Sequence, residues 1–290
     1  MFENRLGDLE FLGQGLVRPE CVLAHSSSLL FAPDWSESGG VSIIDRVGGV
    51  RKIQAKGCTE PLRPNGIALE PGGTFLLAHL GAETGGVYRL HADGHVEPVV
   101  TEVEGRELPP TNFPYLDVDG RLWISVSTHL KPRARAYRPD VADGFVVLAD
   151  KRGARIVADG VGYTNECLVS PDGATLYVNE TFGRRITAFS LHADGSLSDR
   201  RVIAEFGIGT FPDGLTIDEE GGLWMTSIVS NRVIRVAGGA SEILLEDSDD
   251  DHVADVEAAF QSGAMGRPHL DQIRSCTLRN ISSLAFGGPD

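Results

Sequence analysis

Cysteine is scarce in this chain of 290 residues: Cys21, Cys58, Cys167 and Cys276, with no C-x-x-C pair among them. That excludes a disulfide-built scaffold and leaves reduced, mostly buried thiols as the expectation. Basic residues are the minority, 26 Lys and Arg against 41 Asp and Glu, for a formal charge of −15 and a pI near 4.9. Such an excess of acid excludes nucleic acid or an anionic membrane as a partner. Much of it lies in Glu246-Asp247-Ser248-Asp249-Asp250-Asp251, which reads as a solvated loop. No apolar run approaches membrane-spanning length, and the start, Met1-Phe2-Glu3-Asn4-Arg5-Leu6, has no apolar signal core. A soluble cytoplasmic protein is the expectation. A serine nucleophile elbow, a Gly-rich phosphate loop and a His-Glu-x-x-His zinc motif are all missing, which removes three common routes to hydrolysis.

What is present is repetition. Arg-Pro-Glu20, Arg-Pro-Asn65, Pro-Thr-Asn112, Tyr-Thr-Asn165, Phe-Pro-Asp213 and Leu-Arg-Asn280 align, with spacings of 45, 47, 53, 48 and 67 residues. Eight residues beyond each comes Ser28, Gly73, Gly120, Gly173, Gly221 or Gly288. Between and after these marks the same grammar recurs: an apolar strand, a Pro-Asp-Gly-type turn, a second strand, and in most copies two more. Gly66-Ile67-Ala68-Leu69, Glu70-Pro71-Gly72-Gly73 and Thr74-Phe75-Leu76-Leu77-Ala78 show it plainly. Four antiparallel strands per repeat make a propeller blade, so the expectation is an all-β fold, a six-bladed β-propeller forming one domain over 1–290. The last repeat stops at Gly287-Gly288-Pro289-Asp290, where the others turn into a second strand. Either this chain is shorter than the natural protein or blade six is stunted, and the residues ahead of Glu20 can supply at most a strand or two to close the ring.

The two long spacings mark insertions at about 128–143 and 239–278, one after a second strand and one after a fourth. In a blade whose first strand starts at the ring, both positions fall on the ring face, opposite the Gly turns, where they could cap a cavity. Val253–Phe260 in the second insertion reads as a short helix, a small helical element before blade six.

The repeat sets one oxygen-bearing side chain per blade around a ring. Glu20 and Asp213 supply carboxylates and Asn165 an amide oxygen. Hard oxygen donors suit Ca²⁺ first and then Mg²⁺ or Mn²⁺; with no His or Cys among them, a dedicated Zn²⁺ site is disfavoured. Without a cation, two carboxylates facing one another would raise each other's pKa and destabilise the ring, whereas two just offset a divalent ion.

These motifs resemble the SMP-30/gluconolactonase/luciferin-regenerating enzyme family, six-bladed propellers with one divalent metal on the axis. The likeness runs from about Arg18 to the end and is strongest in Phe211-Pro212-Asp213-Gly214-Leu215 and Tyr163-Thr164-Asn165-Glu166. It implies Glu20, Asn165 and Asp213 as metal ligands, Asn112 as a substrate contact, and hydrolysis of a lactone as the reaction class. The chain departs from the sugar-lactonase pattern in two places. Pro110-Thr111-Asn112-Phe113 lacks the Arg and Asp that flank the substrate Asn, and Asn165-Glu166 replaces Asn-Gly. The gain of Phe113 suggests a less polar small-molecule substrate.

A bound Ca²⁺ would polarise a carbonyl and acidify a water; since Ca²⁺ does this less than Zn²⁺, a nearby base is needed. Asp213 could orient or deprotonate that water and Asn112 could hydrogen-bond the substrate oxygen. Further candidates follow second strands on the same face: His129 as a catalytic group, and His79 and Glu180 as substrate contacts. Arg135 and Arg138 are possible carboxylate clamps, and His269 could reach the mouth from the second insertion. Two other readings stay open: a propeller enzyme of another reaction, phosphotriester hydrolysis or a lyase or hydration step, and a non-catalytic ligand-binding propeller.

Overall fold

The computed structural model describes residues 6–272 and 274–287. They form five antiparallel four-stranded sheets, each a simple meander in chain order, the blade unit of a β-propeller. The first comprises β1 (Leu23–Ala24), β2 (Leu30–Asp34), β3 (Gly40–Ile44) and β4 (Val50–Gln54). The second comprises β5 (Pro64–Leu69), β6 (Phe75–Leu80), β7 (Gly85–Leu90) and β8 (Val96–Val100). A two-stranded ribbon, β9 (Glu102–Val103) and β10 (Arg106–Glu107), precedes the third sheet. That sheet contains β11 (Phe113–Leu116), β12 (Leu122–Val126), β13 (Gly144–Asp150) and β14 (Gly153–Val161). The fourth has β15 (Thr164–Val169), β16 (Thr175–Glu180), β17 (Arg185–Leu191) and β18 (Leu197–Glu205). The fifth has β19 (Thr210–Ile217), β20 (Leu223–Val229), β21 (Arg232–Ala237) and β22 (Ala240–Glu246).

The turn between the first two strands of every blade is the same object. Gly73, Gly120, Gly173 and Gly221 sit at φ between 71° and 82°, and each amide donates to the carbonyl three residues back. Ser28 adopts the same left-handed conformation at φ 63° and makes the same bond to His25. A tight reversal needs that backbone region, which glycine enters without steric cost. The serine shows that the backbone geometry of the turn survives even where the residue does not.

The expectation of a sixth blade is corrected. Among the described residues the last repeat forms no strand, and five blades are present rather than six. The segment around Ser282 and Ser283 lies instead against Gly214, where an added Cβ would come within 2.5 Å of the Ser283 Cα. The expected turn at Gly288 lies outside the described residues.

The chain divides into two compact units. One is built on Glu10–Val126 with Val146–Ile156. Its core gathers Phe31, Val41, Ile43, Ile67, Phe75, Leu77 and Leu90 with Cys21 and Phe113, the inward residues of alternating strands. The other is built on Ser127–Phe145 and Val157–Leu284. It holds both insertions, which carry the short 3₁₀ turn Arg133–Ala136 and the helices α1 (Asp250–Gln261) and α2 (Arg267–Asp271). The insertions share one core: Ala136 and Tyr137 from the first meet Val256, Phe260, Met265 and Leu270 from the second over Tyr163, Phe182, Phe211 and Val229.

The acidic run is not a solvated loop. Asp249 caps α1 by accepting from the His252 amide at 2.7 Å, and Asp250 and Asp251 occupy its first turn, where carboxylates oppose the helix dipole. Asp247 is buried and accepts from the amides of Thr277 and Leu278, both at 2.6 Å. Among the described residues the four cysteines form no disulfide; Cys21 and Cys167 are buried, Cys58 is half-buried and Cys276 exposed.

Candidate functional site

The aligned polar residues occupy a shared backbone irregularity. In the second blade Pro64 faces His79 but Ile67 faces Leu77; in the fourth Thr164 faces Glu180 but Cys167 faces Val178; in the fifth Pro212 faces Ser227 but Leu215 faces Met225. A β-bulge therefore spans Asn65-Gly66, Asn165-Glu166 and Asp213-Gly214. A bulge inserts a residue outside the ladder and re-aims its side chain, which is why the polar residue of each repeat can serve something other than strand pairing.

In the C-terminal unit, Asn165 and the Asp213 strand are joined by the end of β16. Thr181 Oγ1 donates to the Pro212 carbonyl at 2.7 Å and accepts from Asn165 Nδ2 at 3.0 Å. Because the hydroxyl hydrogen is committed to Pro212, the atom of Asn165 facing Thr181 must be the NH₂, which turns Oδ1 the other way as an acceptor. Asn179, on the same face two residues earlier, donates to the carbonyls of Asp213 at 3.0 Å and Gly214 at 2.9 Å. Glu166 accepts from the Leu215 amide at 2.8 Å, so the replacement of Gly by Glu after Asn165 adds a bond from the fourth blade to the fifth. Asn165 and Asp213 are nine-tenths buried or more. Asn280 Oδ1 accepts from the Val229 amide at 3.2 Å, at a β-branched residue held at φ 72°. That conformation is rare for valine, and backbone strain of this kind collects near functional sites.

In the N-terminal unit, Asn65 Nδ2 donates to Asn112 Oδ1 at 3.3 Å, and the Gly66 amide donates to the Asn112 carbonyl at 2.9 Å. Glu20 pairs with Arg18 at 3.0 Å, and the Arg18 guanidinium lies 5.0 Å from the Trp35 ring centre.

Several expected site residues have other tasks. Phe113 is 9% exposed and belongs to the core; its ring covers Gly66, where a Cβ would come within 2.3 Å of it. The aromatic is spent on packing one blade against the next and does not make the surroundings of Asn112 less polar. Glu180 is fully buried and accepts from the Gly162 amide, Arg185, Thr187 and Arg200. Burial pushes its carboxyl up, but the Arg185 and Thr187 bonds and the Gly162 amide outweigh that and hold it below the usual glutamate range. Those four donors leave it no role as a substrate contact. His79 Nδ1 accepts from the Arg63 amide at 3.0 Å, and the ring meets Tyr88 edge-on. Burial, with the nearby Arg63 charge, lowers its pKa. It is a neutral structural imidazole with its proton on Nε2. His129 stacks on Phe145 with ring centres 4.5 Å apart, while Asp143 accepts from its amide. Arg138 forms an exposed pair with Asp140, Arg135 bonds the Lys131 carbonyl, and His269 Nδ1 accepts from the Gly266 amide.

Sequence reasoning missed Thr181 and Asn179. The one available signal was their period-two placement around Glu180, which sets the two on the face opposite the carboxylate.

A sequence profile of the SMP-30/Gluconolactonase/LRE-like region matches residues 33–244. The chain belongs to this family. Among its solved relatives, a gluconolactonase from Xanthomonas campestris is 26% identical, with a TM-score of 0.60 over 76% of this chain and 72% of that one. Regucalcin from Agrobacterium tumefaciens, described as a calcium-binding protein, shares the fold at 19% identity, with a TM-score of 0.60 over 80% of this chain and 74% of that one. Human serum paraoxonase/arylesterase 1 is 29% identical over 86 residues, 29% of this chain and 23% of that protein's length.

The donors of this SMP-30/gluconolactonase-type chain fit a hard divalent ion. Within the C-terminal unit Asn165 and Asp213 offer only oxygens, and the bond to Thr181 takes the amide nitrogen of Asn165 and leaves its oxygen turned away from that hydroxyl. Among the described residues no group of three His, Cys, Asp or Glu forms a metal cluster. The expected set contains an asparagine and is not of that kind.

Proposed function

We propose that this protein is a divalent-metal-dependent hydrolase that opens a lactone or related ester. Ca²⁺ is the first choice of ion, held by Asn165 and Asp213, with Glu20 assigned to it by the family resemblance. When bound, the ion would polarise the ester carbonyl and lower the pKa of a water.

The chain's own residues supply the rest. Asp213 accepts the proton as a water oxygen attacks the carbonyl carbon, then returns it to the ring oxygen as the C–O bond breaks, yielding a hydroxy acid. Asn112, assigned by the family resemblance as the substrate contact and held at Oδ1 by Asn65, would serve the developing oxyanion. Asn165 Oδ1 is kept turned by Thr181, and Asn179 fixes the backbone on which Asp213 stands.

The observation that carries this reading is the Asn165–Thr181–Pro212 chain next to Asp213, in a member of a family that includes gluconolactonases. The experiment is a pH-stat assay over a lactone panel, with metal content measured in parallel. Chelation is expected to abolish turnover, Ca²⁺ to restore it, and Asp213→Ala to lose at least ~10³-fold in kcat. Full turnover by Asp213→Ala would end the mechanism.

A further inference from the structure

Two adjacent ring positions of the N-terminal unit carry amides that meet. Asn65 spends its NH₂ on Asn112 Oδ1 at 3.3 Å, and Asn65 Oδ1 is buried with no hydrogen-bond partner among the described residues. The residue is 5% exposed. A buried acceptor left unmade costs about 1–3 kcal/mol, so such an atom calls for a donor. Two nearby donors are committed elsewhere: the Gly66 amide donates to the Asn112 carbonyl, and Trp35 Nε1 donates to the Pro64 carbonyl. The bulge at Asn65-Gly66 is the same device that re-aims Asn165 and Asp213. Phe113 lies over Gly66 in the core, which leaves the pair of amides as the chemistry presented at these two repeats.

We propose that Asn65 is a specificity-determining substrate contact, its Oδ1 accepting a hydrogen bond from a hydroxyl carried by the lactone. This rests on the lactonase reading above and reverses the expectation of a less polar substrate. An acceptor that has no protein partner discriminates strongly, because a substrate lacking the hydroxyl leaves it unpaired. Asn65 thereby does two things: its nitrogen sets the orientation of Asn112, and its oxygen reads the substrate.

The test compares γ-butyrolactone with its α-hydroxy and β-hydroxy derivatives on the wild-type protein, Asn65→Leu and Asn65→Asp, by kcat/KM. Wild type is expected to favour one hydroxylated lactone by at least ~10-fold; Asn65→Leu, which also removes the donor to Asn112, is expected to lower all three rates and to lose a further ~10–100-fold on that lactone, so that the preference disappears. Asn65→Asp keeps an acceptor but gives up the NH₂ on Asn112, and is expected to keep the preference. Equal rates on all three lactones by wild type would overturn the proposal, as would an equal loss on all three in Asn65→Leu, which leaves the preference intact. That pattern would make Asn65 a support for Asn112 alone. Should Asn65→Leu fail to fold, the wild-type preference and Asn65→Asp decide. If no lactone is opened, the lactonase reading has failed, and calorimetric binding of the same three lactones to wild type and Asn65→Leu or Asn65→Asp still decides the contact.

Discussion

Thr181→Val separates the geometry of the candidate site from its chemistry. Valine has the shape of threonine without the hydroxyl, and the position is 1% exposed, so packing is nearly unchanged. Two bonds vanish, from Asn165 Nδ2 at 3.0 Å and to the Pro212 carbonyl at 2.7 Å. Both partners stay buried, and at about 1–3 kcal/mol for each orphaned group the expected loss of stability is about 2–6 kcal/mol. The second consequence is orientational. With no acceptor at Thr181, nothing decides which end of the Asn165 amide faces it, and the oxygen is no longer held out as a ligand. Outer contacts of this kind are worth about 10–100-fold in metal affinity. Urea unfolding of the chelated protein reads the first effect and calorimetric Ca²⁺ titration the second. Thr181→Ser, which keeps the hydroxyl, should retain the affinity. A Thr181→Val protein that unfolds at the wild-type midpoint would refute the hydrogen-bond argument. One that is destabilised yet binds Ca²⁺ as tightly as wild type would refute the role of Asn165 as a ligand.

The lowered pKa of His79 gives a pH prediction. Its folded value lies below the unfolded value near 6.5, so the unfolded chain binds the extra proton first, and this residue's contribution to stability falls as pH drops below about 6.5. His79→Asn keeps an acceptor for the Arg63 amide but does not titrate, so urea midpoints measured from pH 8 to 5 should decline less than in wild type; parallel curves would contradict the assignment. Arg184 stands 4.4 Å and 4.3 Å from the ring centres of Phe211 and Phe260 and binds Glu257 of α1 through both terminal nitrogens. Arg184→Ala should cost about 2 kcal/mol and speed amide exchange selectively through Asp250–Gln261, whereas unchanged exchange there would show that α1 is held by its apolar face alone.

Much of the blade was legible because it is local. The Gly turns, the alternation of Ile67, Leu77 and their equivalents, and the helix at Val253–Phe260, observed as Asp250–Gln261, each depend on a few consecutive residues. The aligned polar residues were legible for the same reason, since a bulge recurs where Asn65, Asn165 and Asp213 recur. Their neighbours were not. Asn179, Glu180 and Thr181 are three polar residues in a row, and only the pleat tells which two point one way. Phe113 read as a substrate aromatic because nothing near it in the chain announces that Gly66, 47 residues earlier, leaves room for its ring.

The repeat by itself determined the fold class, the four-stranded blade, the family and the kind of donor each blade contributes, because these follow from short-range pattern and side-chain chemistry. Tertiary structure alone decided which donors are still available to a ligand. Glu180 is consumed by two arginines, a threonine and a backbone amide, while Asn165 keeps its oxygen because Thr181 takes only its nitrogen. A hydrogen-bonding atom can be spent once. Who spends it depends on partners that are distant in the chain and adjacent only after folding.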